Sequence, residues 1–267
     1  MTMKTETVKT ENFSMDCFSF GSGDRTMVII PGLSVQSVMG FADLVKEEYR
    51  ELTDTHTIYV FDRRKDLPKR YSVEEMARDT ACVLKALGLG DVDLFGASQG
   101  GMIAMEIAIE HPELVHKLAL GSTSSCVEED RFETIQNWID LAENKDREGL
   151  CLAFGEAVYP EEVFEQSRQL LTDAAETVTD EELERFTVLA KGMKGFDITD
   201  DLGKISCPVL VIGSKDDKVL GGDASQVISD SLSEMAEHDL YMYDGYGHAA
   251  YDTAPDYRDR LLGFFIS

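Results

Sequence analysis

The sequence predicts an α/β protein with a mostly parallel sheet flanked by helices, and three observations lead to this prediction. Short apolar runs alternate with longer segments of helical periodicity along most of the 267 residues, an order typical of parallel sheets covered by helices. One long interruption, residues 124–201, is helical in pattern and almost free of strand-like runs. Hydrophobic residues make up 43% of the chain, which is enough for a sizeable core and excludes a disordered protein.

The predicted strands are short apolar or alternating runs bounded by turn residues. The alternating stretch Phe13–Cys17 is the first, and Phe18–Phe20 is predicted to continue it as a hairpin at the sheet edge. The remaining strands are Met27–Ile30, Thr57–Phe61, Val92–Phe95, Leu114–Leu120, Pro208–Ile212 and Asp239–Tyr243.

The predicted helices carry local start and stop signals. One begins at Ser72, which forms a capping box with Glu75, and ends at Gly88. Another follows the sequence Gly96–Gly101 and is ended by Pro112. A helix rich in Leu and Phe closes the chain.

The helical interruption predicts a cap laid over the sheet. Because it separates two strands of one sheet, it is interpreted as an insertion after the sixth strand. The predicted domains are a core of residues 1–123 and 202–267 and a cap of residues 124–201. Between Cys126 and Asp200 there are 20 acidic and 7 basic residues, a net charge of −13 and half of the excess in the whole chain.

The charge of the chain limits its partners. Asp and Glu number 51 against 25 Lys and Arg, a formal net charge of −26. Such a surface repels nucleic-acid phosphates and anionic lipid headgroups, so we expect neither nucleic acid nor membrane as a partner. The oligomeric state stays open between monomer and homodimer.

The cysteines and the N-terminus indicate the compartment. The five cysteines have no spacing typical of a zinc site or a disulfide framework. The N-terminal segment is polar and lacks the apolar stretch of a signal peptide. We therefore expect a cytoplasmic protein with reduced thiols.

A candidate nucleophile lies in the sequence Gly96-Ala97-Ser98-Gln99-Gly100, which fits the G-x-S-x-G nucleophile elbow. A serine at a sharp strand-to-helix turn has a strained backbone, and its neighbours two residues away approach each other closely, so only glycine fits there. The turn raises the hydroxyl above the carboxyl edge of the sheet. It also leaves the backbone amide of Gln99 unpaired at a helix N-terminus, where it can stabilise an oxyanion.

A serine hydroxyl needs a base, and the base needs an orienting acid. Of the five histidines, only His248 follows a strand on the catalytic edge, in the glycine-containing loop that begins at Asp244. The acid is expected in the loop after the strand Pro208–Ile212, which contains Asp216 and Asp217. The chemistry alone does not choose between these two aspartates.

The order Ser98, Asp, His248 resembles that of the α/β-hydrolase superfamily. Segments similar to the family pattern are Met27–Leu33, Ser72–Ser122, Cys207–Lys218 and Asp244–Pro255. The resemblance implies an α/β-hydrolase fold with a helical cap. It selects Asp216 as the acid and implies that the backbone amide of Leu33 is a second oxyanion donor beside Gln99. The chain departs from the pattern in the loop Asp62–Pro68, which is expected to have a different shape.

The resulting hypothesis is a serine hydrolase that cleaves a small acyl substrate, first of all a carboxylic ester, through an acyl-enzyme. No metal or organic cofactor is implied. The cap would select the substrate, and Trp138 and Phe154 are candidate substrate-binding residues, although aromatic residues in a helical segment commonly form core.

Other functions stay open on the same fold. One is an aminopeptidase or amidase of the proline iminopeptidase type, and another is a C–C bond hydrolase or lyase on the same triad. A third, of a different class, is a non-catalytic small-molecule receptor. Such receptors commonly lose a member of the triad, and none is missing here.

Overall fold

A computed structural model describes residues 3–232 and 237–267. Within these ranges eight strands form one sheet, in the spatial order β1-β2-β4-β3-β5-β6-β7-β8. The strands are β1 Lys4–Lys9, β2 Ser14–Gly21, β3 Arg25–Ile30, β4 His56–Arg64, β5 Val92–Ala97, β6 Val115–Gly121, β7 Val209–Ser214 and β8 His238–Tyr243. The pairings of β1 with β2 and of β2 with β4 are antiparallel, and the other pairings are parallel. The mostly parallel sheet is therefore confirmed.

The hairpin at the sheet edge differs from the predicted one. Phe13–Cys17 and Phe18–Phe20 are not its two arms, because residues 14–21 form the single strand β2. Its partner is β1, where only Val8 is buried. An exposed, polar edge strand lacks the apolar alternation that identifies a strand from sequence, and this is why β1 was missed.

The described residues contain ten α-helices, which cover both faces of the sheet. They are α1 Ala42–Glu48, α2 Val73–Ala86, α3 Gln99–Glu110, α4 Phe132–Glu143, α5 Arg147–Val158, α6 Glu161–Ala175, α7 Asp180–Lys191, α8 Ala224–Ser231, α9 Ala250–Thr253 and α10 Tyr257–Ile266. Side chains of α2, α3 and α8 are part of one hydrophobic cluster, and those of α1 and α10 belong to the cluster on the other face. Within the described ranges no helix has the length and apolar character needed to span a membrane.

Local chemistry sets the ends of α2. The Ser72 hydroxyl accepts a hydrogen bond from the Glu75 amide, and the Glu75 carboxylate accepts one from the Ser72 amide. Gly88 follows the helix at a φ of 69°, a conformation that is easiest for glycine. The predicted capping box and glycine exit are both confirmed.

Four helices, α4 to α7, lie between β6 and β7. The two ends of this helical insertion meet, since the Val127 amide donates to the Phe196 carbonyl and the Ile198 amide donates to the Ser125 carbonyl. The insertion therefore leaves and rejoins the sheet at nearly the same place. The predicted helical character of the segment is confirmed, whereas the division into core and cap domains stays a prediction.

One buried acid makes the stability of the fold depend on pH. Glu106 lies on α3 and is 8% exposed. Burial, followed by the repulsion of Glu74, Glu110 and Asp201, raises the pKa of Glu106 to about 7. The folded protein therefore favours the neutral acid. The stability that the neutral Glu106 side chain contributes is fully present below the pKa of this group in the unfolded chain. It is lost as the pH rises through the folded-state pKa of about 7.

We predict that Glu106→Gln stabilises the protein at pH 8 by about 1–3 kcal/mol, because glutamine removes the cost of ionising a buried acid. The gain should shrink toward pH 5. Urea unfolding at both pH values measures it, with Glu156→Gln, at an exposed position on α5, as the charge-matched control. An equal gain at both pH values, or an equal gain in the control, would contradict this assignment.

Candidate active site

Ser98 lies at the turn between β5 and α3. Its backbone has φ 52° and ψ −123°, an unfavourable combination for a residue other than glycine. Hydrogen bonds hold the turn in place, from the Ser98 amide to the Gly121 carbonyl at 2.8 Å and from the Thr123 hydroxyl to the Ser98 carbonyl at 2.7 Å. The surrounding sheet thus stabilises a strained residue at its carboxyl edge.

Close backbone packing explains the glycines around this turn. A Cβ atom at Gly96 would lie 2.4 Å from the Gly100 carbonyl oxygen, and one at Gly100 would lie 2.0 Å from the Ile30 carbonyl oxygen. No larger residue fits at either position without moving the backbone. The predicted close approach of the residues on both sides of Ser98 is confirmed.

The imidazole of His248 lies beside the Ser98 hydroxyl, with 3.0 Å between Nε2 and Oγ. His248 is in the loop after β8, so two distant parts of the chain meet at one edge of the sheet. Ser98 is 6% exposed and His248 is 2% exposed. This pair is therefore almost completely enclosed, and a proton can pass between the two side chains in a water-poor environment.

Asp217 contacts the other nitrogen of the imidazole, with 2.7 Å between Oδ2 and Nδ1. Its Oδ1 accepts hydrogen bonds from the amides of Val219 at 2.8 Å and Leu220 at 3.0 Å, which fix the carboxylate. Since a carboxylate only accepts, Nδ1 carries the proton and Nε2 is left to accept from Ser98.

The prediction that Asp216 faces the histidine is wrong. Its carboxylate instead accepts hydrogen bonds from the Ser214 hydroxyl and from the amides of Gly245 and Gly247, at 2.7 to 3.0 Å. Burial raises the pKa of Asp216, but these hydrogen bonds outweigh burial and keep the pKa below its usual value. Asp216 thus anchors the backbone of the loop that carries His248, and its neighbour Asp217 reaches the ring.

The two predicted oxyanion donors lie on segments that border Ser98. Gln99 is the first residue of α3, where the amide has no acceptor within the helix. Leu33 follows Gly32, and a Cβ atom at Gly32 would lie 3.1 Å from Ser98 Cβ and 3.7 Å from its Oγ. The segment that contains Leu33 therefore passes directly against the serine. The role of these amides stays a prediction.

The helical insertion contacts this edge of the sheet through backbone groups. The Ala249 amide donates to the Val158 carbonyl at the end of α5, at 2.8 Å. The Gln99 side chain donates to the Leu189 carbonyl of α7, also at 2.8 Å. The insertion is thus hydrogen-bonded both to the histidine loop and to the residue after Ser98.

The candidate substrate-binding residues Trp138 and Phe154 pack on each other within the insertion, with 4.7 Å between their ring centroids. Phe154 also contacts Phe186 edge to face. Trp138 and Phe186 are buried, so these aromatic residues contribute to the core of the insertion. Their part in substrate binding stays a prediction.

The opposite edge of the sheet holds a separate polar cluster. Buried Asp93 accepts from His56 Nε2 at 3.0 Å and from His116 Nδ1 at 2.8 Å, and Arg25 lies beside it. His56 and His116 are therefore far from the serine, as the sequence predicted. Within the described ranges no group of three or more His, Cys, Asp or Glu side chains is arranged to hold a metal ion.

Comparisons with known proteins agree with this fold. The family model described as alpha/beta hydrolase fold matches residues 53–169. The "Putative carbamate hydrolase RutD" of Agrobacterium fabrum is 28% identical over 225 residues, which are 80% of this chain and 85% of the relative. MGS-M2, an alpha/beta hydrolase enzyme from a Medee basin deep-sea metagenome library, has a TM-score of 0.87 at 18% identity, over 98% of both chains. The esterase EaEST of Exiguobacterium antarcticum has a TM-score of 0.79 at 22% identity, over 96% of both chains. The chain has the α/β-hydrolase fold.

Sequence reasoning missed one buried residue at the candidate site. Arg63 near the end of β4 is 4% exposed and donates to the Pro31 carbonyl and to the Gln99 side chain. Its neighbours Asp62 and Arg64 are both partly exposed. The alternation of burial along a strand was the one signal available, because Arg63 is two residues after the buried Phe61.

Proposed function

We propose that the protein is a serine hydrolase that transfers an acyl group from a small substrate to water. The observation that carries this proposal is the chain of contacts from Asp217 through His248 to Ser98, at 2.7 Å and 3.0 Å. A base within hydrogen-bond distance of a hydroxyl, itself oriented by a carboxylate, is the arrangement that activates a serine.

The reaction would begin with the attack of Ser98 Oγ on the substrate carbonyl while His248 Nε2 takes the hydroxyl proton. Asp217 stabilises the imidazolium that forms. The backbone amides of Gln99 and Leu33 would bind the developing oxyanion, and each such donor is worth about 10²–10³ in rate. His248 then gives its proton to the leaving group, and water resolves the acyl-enzyme with His248 as the base again.

A carboxylic ester is the substrate class we propose first. The preference rests on what each substrate requires of the site. The alkoxide leaving group of an ester needs only one proton from His248, whereas an aminopeptidase substrate also needs a group that binds its charged amine. The likeness to the esterase EaEST is compatible with it. A carbamate is the second candidate, because the relatives named as carbamate hydrolases span most of this chain. Both substrates present a carbonyl that Ser98 would attack, with His248 as the base and Asp217 orienting the imidazole.

We propose further that the helical insertion covers the site as a cap. Its hydrogen bonds to Ala249 and Gln99 and the near-complete burial of Ser98 support this arrangement. A cavity of about 460 Å³ is lined by Trp138, by Ala157 and by Lys218, which follows Asp217. Neither Ser98 nor His248 lines this cavity, so the cavity does not by itself connect Trp138 to the serine, and substrate binding by Trp138 stays a proposal.

Labelling with a fluorophosphonate tests the serine chemistry. We expect one label per chain on the peptide that contains Ser98, because the activated hydroxyl attacks phosphorus as it attacks a carbonyl. Ser98→Ala should remain unlabelled. An unlabelled wild-type protein that is folded would favour a small-molecule receptor over an enzyme.

A substrate panel then separates the reaction classes. p-Nitrophenyl butyrate, a p-nitrophenyl carbamate and an aminoacyl anilide present an ester, a carbamate and an amide with a free amino group. The highest kcat/KM is expected for the ester. A preference for the carbamate would select the second candidate, and a preference for the anilide would contradict both.

A further inference from the structure

Arg63 joins the two segments that border Ser98. Its Nη2 donates to the Pro31 carbonyl at 2.8 Å and to the Gln99 Oε1 at 3.3 Å. Pro31 begins the segment that leads to Leu33, and Gln99 directly follows Ser98. One guanidinium nitrogen therefore links the Pro31 backbone to the Gln99 side chain, on the two segments that carry the proposed oxyanion donors.

The same contact continues into the helical insertion. Gln99 accepts from Arg63 through Oε1 and donates through Nε2 to the Leu189 carbonyl of α7 at 2.8 Å. A second link runs parallel to it, since Asp62 forms an ion pair with Arg185 of α7 and accepts a hydrogen bond from Ser37. The position of α7 over the sheet is thus fixed by the residues at the end of β4.

Burying this arginine is costly. Its side chain is almost fully enclosed, its Nε has no hydrogen-bond partner, and burial lowers the pKa of Arg63 to about 10. In the described part of the chain, no carboxylate oxygen lies within 4.0 Å of the guanidinium to form a salt bridge. Even a buried ion pair is often no more stabilising than apolar residues of similar size, and Arg63 has only two neutral acceptors to offset its burial. Stability alone therefore does not account for an arginine here.

We propose that Arg63 is a positioning residue that holds the backbone amides of Leu33 and Gln99 at the distance required to bind an oxyanion. This inference rests on the proposed function. Arg63 does not contact the substrate in this role; it acts through the Pro31 carbonyl and the Gln99 side chain. Because the Gln99 side chain also donates to the Leu189 carbonyl, the position of these amides depends in turn on the position of α7.

The test compares Arg63→Met with the neighbouring Arg64→Met. Arg64 lies over the Phe13 ring and bonds Asp66 and Asp79 at the surface, so its substitution removes the same charge without touching the site. We expect Arg63→Met to lower kcat by about 10- to 100-fold with KM changed less than about threefold, since a donor displaced by about 1 Å loses that much. Arg64→Met should keep kcat within about twofold.

Binding of butylboronic acid supplies a readout that a merely structural role would not move. Boron accepts Ser98 Oγ and becomes a tetrahedral anion, so its affinity reports the oxyanion donors directly. The affinity should fall in Arg63→Met by the same factor as kcat/KM. Arg63→Lys, whose single ammonium group cannot reproduce the planar fork, should give an intermediate loss in both quantities. It also serves as the test variant if Arg63→Met does not fold.

The outcomes are distinct. The inference is overturned if the folded Arg63 variants keep kcat and boronate affinity within about twofold of the wild type. In that case, labelling of Ser98 in the wild-type protein by the fluorophosphonate would still support the proposed function. A lower rate that is explained entirely by a smaller labelled fraction would also overturn it, because Arg63 would then only support folding. If the wild-type protein is not labelled, the proposed function fails and this inference fails with it.

Discussion

Ser98→Ala is expected to lower kcat by about 10⁶, because the nucleophile of the proposed acyl-enzyme is removed. The rate should not fall to that of the uncatalysed reaction, since the oxyanion donors and substrate binding would remain. The Cβ atom is retained, and the hydrogen bonds that hold the turn use the backbone of Ser98. The fold is therefore expected to survive.

The measurement is a steady-state rate on p-nitrophenyl butyrate, with circular dichroism as the check on folding. Titration with a fluorophosphonate excludes traces of wild-type enzyme, which would dominate so small a rate. A folded alanine variant that retains a tenth of the activity would refute Ser98 as the nucleophile. The observed activity would then have to use another nucleophile.

Asp217→Asn is expected to lower kcat on the order of 10⁴. An asparagine still accepts hydrogen bonds from the amides of Val219 and Leu220, so the loop keeps its shape. Its amide group, however, presents N–H instead of a carboxylate oxygen to His248 Nδ1. The imidazole is then held in the tautomer that protonates Nε2, which cannot accept the Ser98 proton.

Asp216→Asn is the matched comparison, one residue away with the same change of charge. It should lower kcat by less than about tenfold, because Asp216 holds the loop and does not contact the ring. We also expect a lower midpoint of thermal unfolding, as the amides of Gly245 and Gly247 lose a charged acceptor. A reversed order of the two effects on kcat would restore Asp216 as the acid.

The sequence predicted those parts of the site that depend on local sterics or on strand order. The close approach around Ser98 follows from Gly96 and Gly100. His248 could be chosen by elimination, because the direction of parallel strands places residues after a strand on one edge. Both inferences use neighbours in sequence or the general rule of the fold. Both agree with the geometry observed.

The choice between Asp216 and Asp217 depended on distant parts of the chain. Asp216 is held by Gly245 and Gly247, about thirty residues further along the chain, and no local pattern signals these contacts. The resemblance supplied a spacing but not the direction of each side chain. The inward position of Arg63 was missed for a similar reason, since its acceptors, the Pro31 carbonyl and the Gln99 side chain, lie on other elements.

The hydrogen bond from Ala249 to the Val158 carbonyl has a mechanical consequence. In the proposed cap arrangement, an outward movement of the end of α5 would have to break this bond or carry the histidine loop with it. In the second case His248 would leave Ser98, and the open form would be inactive until the insertion closed again. Hydrogen exchange at the Ala249 amide reports this coupling, since opening exposes that amide to solvent.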